Sequence, residues 1–357
     1  MQINKLDFTG QNIFAGIDVH LKSWTVTVET DEIALKTFNQ PPEPEVLSKY
    51  LLRNFPGANY LCSYEAGFCG FWIHDKLKEM GIDCIVVNPA DVPTKDKEKK
   101  QKSDRIDSRK IARSLRNGEL DGIYVHPEED REYRGLIRCR KTLARDLTRC
   151  KNRTKSFLYF MGIKLSEEFA NRSTHWSNRF MKWLESIELK TPPGTITLRT
   201  YIEEASAIRK LQLNVTKEIR KLSKSEKYNK QVELIRSVCG VGPTSAMIFL
   251  TEIGDISRFK GLDKLSSYVG FIPNTSSTGE NERIGEMTNR GNHLLKETLI
   301  ECSWVAIRHD PALLMKFKEL CGRMEPNKAI IRIARKLLNR IRFVLKNQQP
   351  YVMAVVK

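Results

Sequence analysis

The spacing of polar and apolar positions changes twice along the chain. From residue 12 to about 125, short strand-like runs trade with helical ones. "NIFAGIDV" and "WTVTVET" read as strands, "PEVLSKYLLRNF" as a helix, "NYLCSYEA" as a strand, "GFWIHDKLKEMG" as a helix and "CIVVNP" as a short strand. Such alternation predicts an α/β layer whose sheet is at least partly parallel. "PADVPTKDKEKKQKSDR" interrupts it as a basic loop, and "DRIDSRKIARSLRNGE" resumes as a helix that Gly118 ends.

From Tyr133 the apolar spacing becomes three, four and seven. Leu136, Leu143, Leu147, Cys150, Thr154 and Phe157 follow it, and after "TPPG" so do Tyr201, Ala205, Ile208, Val215, Ile219 and Leu222. This predicts two long helices with coiled-coil character, paired with each other or with a second copy of the chain. In "IRSVCGVGPTSAMIFLTEIG" the small residues of "GVGP" join two apolar helices. Phosphate-binding helix-hairpin-helix turns and plain αα-hairpins share that pattern, and spacing leaves both open. A loop "FIPNTSSTGENERIGEMTNRGN", apolar helices and the basic amphipathic "AIIRIARKLLNRIRFVLK" complete a mainly helical third region. The expected division is 12–125, 126–230 and 231–357, in keeping with a length of 357 residues that exceeds the roughly 250–300 at which single cores stop growing.

Charge changes the picture from architecture to partner. Lys and Arg number 60 against 43 acids, a net +17, which points to a polyanion, with nucleic acid foremost. Arg131 to Lys155 alone holds ten basic residues against Glu132 and Asp146. Arg138, Arg140, Lys141, Arg145, Arg149, Lys151 and Arg153 are therefore expected to face phosphate backbones, although a solvated helix face could carry the same residues. The eight cysteines lie far apart with no CxxC pair, which argues against a zinc knuckle or a disulfide framework. No run approaches the ~20 apolar residues of a membrane span and the first residues lack a signal peptide's apolar stretch, so a soluble cytoplasmic, nucleoid-associated protein is expected.

The chemistry starts with an acid at the tip of an apolar strand, Asp18. Glu65 ends a second strand just before Gly67, and open α/β sheets place their sites along that carboxyl edge. Asp104 and Asp107, three apart on a helix, share one helix face. Alone, each acid has an ordinary explanation: a strand-end Asp forms turns, and Asp104 could cap its helix. Together, four hard oxygen ligands in a basic protein suit Mg²⁺ or Mn²⁺, and a pair of such ions can clamp a phosphodiester. His20 stands close enough to Asp18 to matter.

"FAGIDVHLKSWTVTV", "SYEAG" and "KSDRIDSRKIARSL" resemble the Asp, Glu and Asp-x-x-Asp segments of the RuvC-like (RNase H-like) domain of DEDD transposases of the insertion-sequence one-ten family, relatives of the Piv-type DNA invertases. The stretch from "LIRSVCGVGP" through "RHDPAL" resembles that family's second, transposase domain. The resemblance implies a DNA recombinase in which Asp18, Glu65, Asp104 and Asp107 hold the metal and a serine of the C-terminal loop attaches covalently to DNA. It also implies a structured bridge RNA that pairs with donor and target DNA, while the heptad spacing of the long helices predicts a homo-oligomer, a dimer or higher assembly. The family's serine directly precedes a glycine, whereas this chain reads Ser276-Ser277-Thr278-Gly279. Ser277 is the favoured nucleophile, with Thr278 the alternative, and Arg283 and Arg290 would either brace phosphate oxygens at the reaction or contact the DNA backbone without a catalytic role. Two other readings remain: a junction-resolving nuclease, or an invertase without RNA guidance. An actin-like ATPase is disfavoured because His20 fills a place where such folds need glycine.

Overall fold

The computed structural model describes residues 7–94, 103–278 and 281–353, and for 275–278, 281–284 and 286 the backbone alone. The chain divides into two compact units, 1–125 and 126–357.

The first unit is a five-stranded sheet with helices. β1 (Asn12–Val19), β2 (Trp24–Thr30) and β3 (Ala34–Gln40) form an antiparallel meander. β4 (Asn59–Glu65) and β5 (Asp83–Val87) add in parallel, giving the order β3-β2-β1-β4-β5. Among the described residues its α-helices are α1 (Pro44–Asn54), α2 (Trp72–Glu79) and α3 (Asp104–Arg116). β3 is absent from the sequence reading for a physical reason. "ALKTFNQ" is an edge strand whose side chains are mostly exposed, so it carries no apolar alternation. Ile13, Ala15, Ile17, Trp24, Val26 and Val28 are buried with Leu47, Leu51, Ile73 and Leu77 of α1 and α2.

α3 packs against the other face. A Cβ on Gly16 would lie 2.3 Å from the backbone nitrogen of Ala112 and from the carbonyl oxygen of Ser108, so the missing side chain lets helix backbone rest directly on β1. Two contacts fix the register. The buried Ser108 hydroxyl meets that of Thr27 at 2.9 Å, and Arg116 pairs with the buried Glu29 at 2.9 Å.

The second unit is helical: α4 (Glu128–Phe160), α5 (Asn178–Glu185), α6 (Pro192–Leu222), α7 (Asn229–Arg236), α8 (Pro243–Ile253), α9 (Leu262–Val269), α10 (His293–His309), α11 (Pro311–Cys321) and α12 (Pro326–Asn347). Between α9 and α10 runs a hairpin, β6 (Pro273–Thr278) and β7 (Asn281–Met287). α4 and α6 lie antiparallel: Arg140 meets Thr216, Arg153 meets Glu204, and Phe157 meets Tyr201 edge-on. Leu147, Cys150 and Ala205 are buried along their seam, and Ile137 and Ile219 join the large core built by α7 to α12. The helical pair is thus continuous with the core of its unit. At the "GVGP" turn, Gly240 has φ +88°, and a Cβ there would strike the carbonyl oxygen of Cys302 on α10 at 2.4 Å. No described helix is long and apolar enough to cross a membrane.

Candidate functional site

Ile17 is level with Tyr64 in the β1–β4 ladder, so Asp18 and Glu65 leave neighbouring parallel strands at the same height. α3 brings the other two acids to that edge. Its N-cap is Ser103, whose hydroxyl accepts from the Ile106 amide at 3.4 Å. Asp104 is therefore released from the capping role and stands with Asp107 in the first turn.

The four acids sort into two pairs, each bridged by a nitrogen. His20 Nε2 lies 3.2 Å from Asp18 Oδ2 and 3.5 Å from Asp104 Oδ1, and a ligand atom from each of the three residues falls within 4.8 Å of the others. Lys110 Nζ lies 3.2 Å from Asp107 Oδ1 and 3.5 Å from Glu65 Oε1. Burial pushes the Asp18 carboxyl above its ordinary value; the His20 ring opposes this, and the negative charges of Asp104 and Asp107 add to it. A carboxylate both desolvated and crowded by like charges is under-compensated. Oxygen ligands in that state suit a hard divalent cation, which would relieve burial and repulsion together.

The serine hairpin belongs to the second unit. In its backbone ladder Ser277 is opposite Glu282, Thr278 opposite Asn281 and Ser276 opposite Arg283. The side chains of Ser277, Thr278 and Arg283 lie outside the described ones. Arg290, just past β7, is exposed, and its amide donates to Thr288 Oγ1 at 3.0 Å.

Asn292, which follows the hairpin and opens α10, is held by Glu252 on α8, which is fully buried. Its carboxylate accepts from Arg134 at 2.9 Å, from Arg138 at 2.8 Å and from the Asn292 amide group at 2.7 Å. Asn292 in turn caps α10, and Tyr268 donates to the Glu252 carbonyl at 2.8 Å. Burial alone would raise the Glu252 carboxyl, but the hydrogen bonds and charges of Arg138 and Arg134 outweigh it and hold the group at about 2.

Most of the basic residues on α4 also have partners within their unit. Arg138 serves Glu252, Arg140 donates to Thr216, Lys141 and Arg145 flank Glu297, and Arg149 meets Asp146. Lys151 sits over the Trp176 ring, and Arg153 pairs with Glu204 while facing Tyr201. Arg145, Arg149 and Arg153 nonetheless keep roughly half or more of their side chains exposed.

A transposase model of the IS110 DEDD type matches residues 15–162, and the "Transposase IS116/IS110/IS902 family" matches residues 232–318. The first match spans the strand ends and helix that carry the acids; the second spans the hairpin. The chain belongs to the IS110 family of DEDD transposases. Among its relatives, a Sinorhizobium fredii protein named as a transposase, y4qE, is 29% identical over 71% of this chain and 60% of its own length. The transposase for insertion sequence element IS1533 of Leptospira borgpetersenii is 28% identical over 82% of this chain and 85% of its own. That for IS1111A of Coxiella burnetii is 24% identical over 76% and 74%. Membership in this family implies use of a divalent metal, and a transposase acts on DNA.

Sequence reasoning missed three residues of this arrangement. Lys110 follows Asp107 by three positions, the spacing that puts it on the acids' face. Gly16 precedes Asp18 by two, the spacing of one sheet face. Glu252 gave no local signal, because its partners lie 40 to 118 residues away.

Proposed function

We propose that this transposase cuts and rejoins DNA with two groups: a divalent ion held by Asp18, Glu65, Asp104 and Asp107, and the Ser277 hydroxyl. The observation that carries the reading is the meeting of Asp18, Asp104 and His20 at the carboxyl edge of the sheet, with Glu65 level with Asp18 and Asp107 one turn along α3. The strand order, with three antiparallel strands followed by two parallel ones, supports an RNase H-like domain.

The bound ion, Mg²⁺ or Mn²⁺, would supply Lewis-acid charge to a phosphate oxygen. Asp18 and Asp104 hold it from strand and helix, and α3 keeps their separation fixed. Ser277 Oγ attacks phosphorus, its proton passing to a base. A P–O bond forms to serine, the P–O bond to the leaving deoxyribose oxygen breaks, and that oxygen takes up a proton. Reversal by a different strand's hydroxyl rejoins the DNA and frees the serine. Arg283 and Arg290 would brace the non-bridging oxygens. The acid site that serves a given serine belongs to the same chain or to another copy in a homo-oligomer.

A bridge RNA is the guide this reading favours. The net charge of +17 and the exposed Arg145, Arg149 and Arg153 of α4 support contact with RNA and DNA backbones. Coiled-coil pairing of the α4–α6 segment between copies would set their spacing.

The decisive experiment traps the covalent adduct on a nicked DNA carrying the element's end. Ser277→Ala should abolish the adduct and Thr278→Ala should retain it. Cleavage indifferent to both substitutions would assign the reaction to hydrolysis at the acids, as in a junction-resolving nuclease.

A further inference from the structure

Lys110 is the cation the sequence reading left out, and its position bears on how many ions the acid site takes. Its residue is 7% exposed although it carries a full charge and lies in the second turn of a helix that begins at the site. The ammonium fills the gap between Asp107 and Glu65 at 3.2 and 3.5 Å. A Mg²⁺ ion shared by those two carboxylates would need oxygen distances of about 2.0–2.1 Å. It would then stand against the ammonium, and two cations would compete for one pair of acids. The lysine has little freedom to withdraw. Its helix is pressed onto β1 at Gly16 and pinned to β2 through Thr27 and Ser108. Asp18 and Asp104 face a different situation: the nitrogen between them belongs to a histidine ring, which unlike an ammonium can itself ligate an ion, and the three ligand atoms lie within 4.8 Å of one another.

We propose that Lys110 takes the place of a second metal, so that the acid site binds a single divalent ion, on the Asp18–Asp104 side, while the lysine ammonium holds Glu65 and Asp107 together. This rests on the metal reading above and narrows it: Asp18 and Asp104 stay as ligands, while Glu65 and Asp107 become partners of the lysine. The pair of ions expected from four carboxylates becomes one ion and one built-in cation. The ammonium, at the pair's centre, is a positioning group: it sets the separation of Glu65 from Asp107 whether or not an ion is bound. Catalysis with one ion then follows from the fold, since the second ion's work of neutralising Glu65 and Asp107 is already done.

The test counts ions rather than turnover. Full-length protein is titrated with Mn²⁺, free Mn²⁺ is read from its EPR signal, and the number bound per chain is compared with that in Asp18→Asn and Asp104→Asn. Wild type should bind one Mn²⁺ that both variants lose. Lys110→Met, which keeps the stem and removes the charge, should bind two, with dipolar broadening of the bound signal; Lys110→Arg should stay at one. Two ions in wild type, both lost in Asp18→Asn, would overturn the proposal while leaving the metal site intact, and so would a Lys110→Met count that stays at one. Binding indifferent to Asp18→Asn and Asp104→Asn would remove the metal reading itself, and this proposal with it. Should Lys110→Met fail to fold, the wild-type count still decides.

Discussion

The two units each gather carboxylates and cations, and they use them in opposite ways. In the second unit a fully buried Glu252 receives two guanidinium groups and an amide, and its carboxyl is held down at about 2. In the first, Asp18 shares a half-open edge with three other acids, one lysine and one histidine, and its carboxyl is raised. Glu252 has both carboxylate oxygens hydrogen-bonded and its charge met by two guanidinium groups, so it fastens helices. Asp18 is short of positive charge, and that shortage is what a divalent ion would meet. At these two places burial is met differently: paired guanidinium groups outweigh it at Glu252, whereas at Asp18 it prevails and neighbouring acids add to it.

Removing the carboxylate charge at each place tests this directly. Asp18→Asn should lower strand cleavage by at least roughly a thousandfold, the scale of losing a principal electrostatic group at a reacting phosphate. Because the ionised Asp18 is unfavourable in the metal-free fold, the variant's melting temperature without metal should equal or exceed that of wild type. A melting temperature that falls would show that Asp18 is a structural acid like Glu252.

Glu252→Gln should do the reverse. It leaves Arg134 and Arg138 without their counter-charge, at a cost of about 3 kcal/mol in unfolding free energy, while the first unit keeps its Mn²⁺. Acid should reproduce the effect in wild type. The folded pKa of Glu252, about 2, lies below its ordinary 4.5, so its contribution is complete above about 4.5 and is lost as the pH falls toward 2. A pH series of melting curves of the intact chain should show this loss, and Glu252→Gln should flatten it. An unchanged series would place the acid sensitivity elsewhere.

How much of this the sequence carries depends on the range of each interaction. Asp18, Glu65, Asp104 and Asp107 were legible because each sits at a predictable place, a strand end or a first helical turn, and their order matches a family. β3 was not, because an exposed edge strand has no periodicity to read. The basic surplus on α4 was legible as charge, yet its counterparts Glu252, Glu297 and Glu204 lie 51 to 156 residues away in sequence. Only folding shows that acids of the same unit meet part of a charge that, along the chain, asks for nucleic acid. Gly16 sits in plain view two residues before Asp18, but its purpose lies in what rests on it.

Gly16 therefore gives the mildest of the expected effects and the one that links fold to site. In Gly16→Ala the new methyl meets α3 backbone at 2.3 Å. Backbone cannot rotate away as a side chain would, so the helix must lift from β1 or the strand must bend. Overpacking of this kind costs about 1–3 kcal/mol. A shift of the helix by about 1 Å carries Asp104 and Asp107 away from Asp18 and should lower cleavage about a hundredfold. The discriminating measurement is Mn²⁺ affinity, which should weaken in Gly16→Ala although no ligand has changed. If affinity and cleavage both stay at wild-type level while stability falls, the close approach at Gly16 serves packing alone, and the geometry of the acids is set from the Ser108 and Arg116 contacts farther along α3.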